Sequence, residues 1–222
     1  MLNHTAPNQR KKLFTHTANH EMLSLQAHRV SATLRHTFGR APRRVLAAAA
    51  GADRQASLKQ VNTDLGTDKL GVPEVEMAEV VRRFDAKDSS LVLVDVRSAE
   101  ERAVSTIPGS VTVASVLANK DAYADKSLVT FCTVGYLAAA AARDLSSQAI
   151  GRTVKNLGDG SLLGWTLAGK PLVKPDGSAA TGVHTFMAGL AGLAAPGLET
   201  TSFPDEEAGT RLAAAKAHYG LS

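Results

Sequence analysis

The chain carries a single cysteine, Cys132, in 222 residues. One thiol excludes an internal disulfide and leaves no second thiol to resolve an oxidised one, so any thiol chemistry needs an external partner. Long apolar runs are missing as well. No stretch approaches the roughly 18 apolar residues that a membrane span requires, and none is expected. Acidic residues are absent from Met22 to Ala50. No internal repeat is visible, and the histidines near the N-terminus lack metal-ligand spacing.

What is present begins with an uneven charge. Residues 1 to 50 hold eight Lys or Arg against Glu21 alone, which leaves 17 basic against 20 acidic residues for the rest. The basic character therefore belongs to the N-terminus, and nucleic-acid binding is not expected of the remainder. Arg29, Arg35, Arg40, Arg43 and Arg44 alternate with Ser24, Ser31, Thr33 and Thr37 and lead into Ala47–Ala50, a composition that predicts an organelle transit peptide over residues 1–50. Leu23, Ala27, Val30 and Leu34 add the helical spacing of a mitochondrial presequence. Residues 51–73 are polar, contain Gly66, Gly71 and Pro73, and read as a linker.

An ordered domain is expected over residues 74–175. Val75, Ala78, Val81 and Phe84 predict an amphipathic helix through Ala86, and Leu91–Val96 a buried strand. A polar helix near Ala99–Ala103, the turn Ile107-Pro108-Gly109 and a short strand Val111–Val113 follow. The run Leu128–Phe131 is too short for a helix, whereas the alanine-rich segment from Leu137 to Leu145 is a strong helix former. Thr153–Leu157 reads as a further strand, and a short helix carries Trp165 as a core anchor. Strands alternating with helices predict an α/β fold around a small parallel sheet. Beyond Pro175 the pattern weakens, and residues 176–222 read as a C-terminal extension without a second domain.

Cys132 sits where a strand hands over to a helix. In an open parallel sheet, ligands bind at the carboxyl ends of the strands, and a helix start offers unpaired N–H groups. Thr133, Val134, Gly135 and Tyr136 can curl those groups around the sulfur, with the glycine free to take positive φ. Such a nest is expected to lower the thiol pKa and to hold a negative adduct on sulfur. Asp95 and Arg97, at the end of the buried strand, are expected to make structural bonds to neighbouring loops.

These residues carry a family resemblance. Asp95-Val96-Arg97, Glu101 and Ile107-Pro108-Gly109-Ser110 resemble the first signature of rhodanese-like domains, and Cys132-Thr133-Val134-Gly135-Tyr136 their active-site loop. Asn156-Leu157, Gly160–Trp165 and Ala168–Leu172 resemble the glycine-tryptophan signature. The likeness spans about residues 74 to 173, and Val183–Phe186 resembles an extension of some plastid and cyanobacterial-type members. It implies a three-layer α/β/α sandwich and a sulfurtransferase in which Cys132 carries sulfane sulfur as a persulfide. A small sulfur donor and a thiol or cyanide acceptor are the implied partners, with a protein partner as a further one, and no metal or organic cofactor is implied. For the transit peptide, the resemblance favours a chloroplast over a mitochondrion.

Departures matter to the chemistry. Where the family loop commonly continues with arginine stands Leu137, followed by Ala138. Arginine there would anchor an anionic donor in bidentate fashion. Leucine cannot, so weak use of thiosulfate is expected. Smaller changes are Arg102 for an aromatic residue, Ser105-Thr106 for glycine-histidine, and a longer turn near Asp159. A phosphatase of the related dual-specificity type would need an arginine where Ala138 stands. The competing class is a non-catalytic rhodanese module that binds a protein or senses redox state through Cys132.

Overall fold

The computed structural model describes residues 51–221, and the transit-peptide expectation for residues 1–50 lies outside them. At the centre is a parallel sheet ordered β1 (Glu74–Val75), β5 (Thr153–Leu157), β4 (Ser127–Phe131), β2 (Leu91–Asp95), β3 (Val111–Thr112). β4 lies in the middle of this order and is buried over its whole length, as expected of a strand covered on both faces. Its side chains alternate. Val129 and Phe131 join one core with Leu93, whereas Leu128 joins the other with Val94 and Val154.

Helices fill the outer layers as that alternation requires. On the first side lie α2 (Met77–Asp85), through Met77 and Val80, and α7 (Ser161–Leu167), through Leu162, Leu163 and Trp165. Trp165 is fully buried, meets Phe84 edge-on at 5.0 Å, and donates its indole N–H to the Pro171 carbonyl at 2.9 Å. The second side is covered by α4 (Val113–Ala118), through Val116, and α6 (Tyr136–Ser147), through Ala142 and Leu145. Between β2 and β3 runs α3 (Ala99–Val104), and the short α5 (Lys120–Tyr123) precedes β4. The three-layer sandwich expected from the sequence is the architecture observed.

One flanking segment differs from expectation, and the other is the extension expected without a second domain. Residues 51–73 are not a linker: they form α1 (Gly51–Leu65) and a 3-10 turn, Thr67–Leu70. Leu58 is fully buried in the first core, and Val61 and Leu65 pack against it at spacings of three and four residues. The helix is polar elsewhere, which is why its composition resembles a linker. Gln55 adds a side-chain hydrogen bond to the Asp159 carbonyl at 2.7 Å.

The C-terminal extension is folded onto the same side. β6 (Gly182–Met187) and β7 (Glu199–Phe203) form a separate parallel pair, and α8 (Asp205–His218) follows. Val183, Met187, Leu190, Phe203 and Ala208 belong to the first core, so the extension has no core separate from that of the sheet.

Candidate active site

The geometry starts at the end of β4. The Cys132 backbone N–H donates to Ser161 Oγ at 3.0 Å, and the carbonyls of Cys132 and Thr133 each accept a hydrogen bond at 3.1 Å from the first N–H groups of α7, at Leu162 and Leu163. With its carbonyls held by α7, the loop turns amide N–H groups toward the sulfur. Gly135, at φ +117, donates to Cys132 Sγ at 3.2 Å and caps the start of α6. That cap needs glycine: a Cβ there would lie 3.1 Å from Asn62 Oδ1 on α1, besides the unfavourable φ. Tyr136, expected in the turn, is the first residue of α6.

Beneath the loop lies a buried ionic layer. Arg97 donates to Asp95 through Nε at 3.0 Å and Nη2 at 2.7 Å, and to the Ser105 carbonyl at 2.7 Å. Thr106 Oγ1 donates to the other side of the pair, at Asp95 Oδ2, at 2.6 Å. Arg97 Nη1 is buried and has no hydrogen-bond partner among the described residues. Glu101 closes α3 in a capping box with Ser98 and accepts from Thr133 Oγ1 at 3.3 Å. Burial pushes the Glu101 carboxyl above the ordinary range, against the pull of Arg97 and of the hydrogen bonds from Ser98.

Over Cys132 opens a cavity of about 470 Å³. Cys132, Thr133, Val134, Tyr136 and Leu137 line its floor together with Arg97 and Glu101, while Gly135 contributes through its N–H to sulfur. Asp95 is not among the lining residues; it holds Arg97 from behind. The roof is the surprise. Phe186, Met187, Leu190, Arg211, Leu212 and Tyr219 come from the extension. Arg211 pairs with Glu207 at 2.8 Å and Glu100 at 3.3 Å and stacks over Phe203 at 4.1 Å, tying α8 down to α3.

The sequence did hold a signal for this roof. Pro204 precedes Asp205, Glu206 and Glu207, and Lys216 and His218 end the segment, which is the charge order of a capped helix. Its inward face reads Ala208, Leu212, Ala215, Tyr219, too weakly apolar to stand out.

Cys132 differs from expectation in its electrostatics. Burial pushes its thiol above the usual value, the N–H groups of Ala138, Gly135 and Val134 pull it down, and the Glu101 carboxylate opposes them. The net shift is upward. Desolvation thus outweighs the nest. His184, on β6, is pushed down to about 4 by burial and by the charges of Arg97 and Arg211, and its Nδ1 accepts the Phe186 N–H at 3.1 Å. Among the described residues no group of three or more His, Cys, Asp or Glu could hold a metal, and no helix is long and apolar enough to cross a membrane.

Comparison with known proteins adds the family. A model described as the rhodanese-like domain matches residues 76–168. An HTH-type transcriptional regulator of Mycobacterium tuberculosis is 36% identical over 110 residues, covering 47% of this chain and 47% of the relative. The chain thus matches about half the length of that curated relative. Among solved structures, a thiosulfate sulfurtransferase from Pseudomonas aeruginosa is 22% identical over 57% of this chain and 23% of its own, with a TM-score of 0.44. A 3-mercaptopyruvate sulfotransferase from Escherichia coli is 20% identical over 50% of this chain and 57% of its own, with a TM-score of 0.39.

Proposed function

Residues 76–168 are a rhodanese-like domain, and from that premise we propose that the chain is a sulfurtransferase carrying sulfane sulfur as a persulfide on Cys132. The observation that supports this most is the pairing of Sγ with the Gly135 N–H at 3.2 Å inside an open cavity. A persulfide spreads its charge over two sulfurs, and the outer one would extend into that cavity while the inner one keeps the N–H contacts. Splitting one transfer into two displacements on Cys132 is covalent catalysis. Thiosulfate is a poor donor here, because Leu137 offers no cation to the loop.

A second reading has an observation of its own. The upward shift of the Cys132 thiol suits a residue kept unreactive until a partner or oxidant arrives, which is the behaviour of a binding or redox-sensing module. Its similarity to a transcriptional regulator is compatible with that use. Incubation of the full chain with thiosulfate, mercaptopyruvate or an organic persulfide, followed by intact mass with and without dithiothreitol, separates the two. The enzyme reading expects one added, reducible sulfur that Cys132→Ser lacks, and no adduct from any donor overturns it.

A further inference from the structure

Strand β6 is irregular where it meets the Cys132 cavity. His184 pairs with Thr201 and Met187 with Phe203, so β6 advances three residues where β7 advances two, and one extra residue bulges out. A regular strand sends consecutive side chains to opposite faces, yet Phe186 and Met187 both line the cavity that Cys132 lines. The bulge makes this possible at the expense of backbone strain. Phe186 lies at φ +65, a region that bulky residues avoid and that glycine or asparagine adopts more readily.

Two contacts hold Phe186 in that conformation. His184 Nδ1 accepts its backbone N–H at 3.1 Å, and its ring meets Phe203 edge-on at 5.7 Å. His184 itself packs on Phe203 at 4.3 Å, on the ring that Arg211 also covers. A bulky side chain kept in a strained conformation beside a reactive group points to a use for that side chain. Phe186 is half-buried, so its ring borders solvent as well as the cavity, whereas Cys132 is only 4% exposed. We propose that the β6 bulge is a size filter for Cys132: Phe186 is a specificity-determining residue whose ring narrows the approach to the sulfur, and His184 is the positioning residue that holds it through the Phe186 N–H. This rests on Cys132 being the reacting group, as in the persulfide reading, and adds that molecules with narrow bodies reach the sulfur while bulky ones are held off.

Cys132 is the single cysteine of the chain, so maleimide addition read by intact mass reports on it alone and involves no sulfur transfer. N-methylmaleimide and N-cyclohexylmaleimide share the reacting ring and differ in the body. Dividing their rate ratio by the ratio for free glutathione cancels intrinsic reactivity. On that scale the cyclohexyl compound should be disfavoured at least about tenfold in the unaltered full chain, the order of discrimination that a pocket wall supplies. Phe186→Gly and Phe186→Asn, which both tolerate positive φ, should each bring the ratio toward one. His184→Ala should do the same, and His184→Asn, whose side-chain oxygen can accept in place of Nδ1, should keep the filter. In the Phe186→Gly background, His184→Ala should change nothing further. A ratio near one in the unaltered chain, or one that neither Phe186 variant changes, overturns the filter and leaves the persulfide reading standing. An effect of His184→Ala that persists without the Phe186 ring overturns the positioning role. A filter that behaves as expected in a chain that takes up no sulfur from any donor sustains the filter and overturns the persulfide reading.

Discussion

The floor and the roof of the Cys132 cavity are held by different forces. The floor is a lattice of short polar contacts in which Glu101 and the α7 amide groups each fix one piece of the loop, and the Asp95–Arg97 pair ties the neighbouring β2 end to Ser105 and Thr106. The roof is attached mainly by packing, through Phe203, Leu190 and Ala208, with the Arg211–Glu100 pair and hydrogen bonds from Arg143 to the Tyr219 carbonyl and from Arg54 to the Gly192 carbonyl along its margin. A hydrogen-bonded floor tolerates little displacement, because each lost partner strands a buried polar group. A mainly apolar roof has fewer such constraints, so chemistry can stay fixed below while the donor is selected above.

The sharpest way to break that comparison is at the floor's support. A Cβ at Gly164 would sit 2.0 Å from the Asp159 carbonyl oxygen, within the turn that α1 braces. Gly164→Ala should cost at least about 3 kcal/mol by urea denaturation and slow Cys132 loading in whatever remains folded. At the roof, Phe203→Ala should cost about 2–3 kcal/mol, through lost packing with Phe186 and Arg211. Its signature should be loss of donor discrimination, with the persulfide still forming. If both variants lose loading equally, floor and roof are one unit.

A smaller effect is pH-dependent and belongs to the roof. His184 is neutral when folded, with a pKa near 4 against 6.5 when free. Its contribution to stability is full above pH 6.5 and is lost as pH falls toward 4, because the unfolded chain takes up the proton first. The loss should be about 1–2 kcal/mol after solvent screening, seen as a falling Tm that flattens in His184→Gln. Smallest is the repair of the loop: Leu137→Arg should raise thiosulfate loading about tenfold, and no gain would remove the anion-anchor explanation.

Much of the floor was legible in the sequence because its parts are local. Asp95 and Arg97 are two residues apart, Ser98 and Glu101 form a capping box, and Cys132 to Tyr136 is one continuous loop. For the roof only the charge order of α8 was legible, since the helix lines the site with Arg211, Leu212, His218 and alanines, which leave almost no apolar period. α1 was hidden for a related reason: its contacts run through Leu58, Val61 and Leu65 in an otherwise polar helix. The direction of the Cys132 thiol shift is not legible in the loop, because a nest can be read from a glycine-containing turn, whereas the burial that outweighs it is set by segments distant in sequence.

The central claim is that Cys132 receives and holds a sulfur atom. Intact mass of the full chain after exposure to sulfane-sulfur donors tests it most directly. The account predicts a gain of one sulfur, removed by dithiothreitol and absent from Cys132→Ser; an unchanged mass with every donor would contradict it.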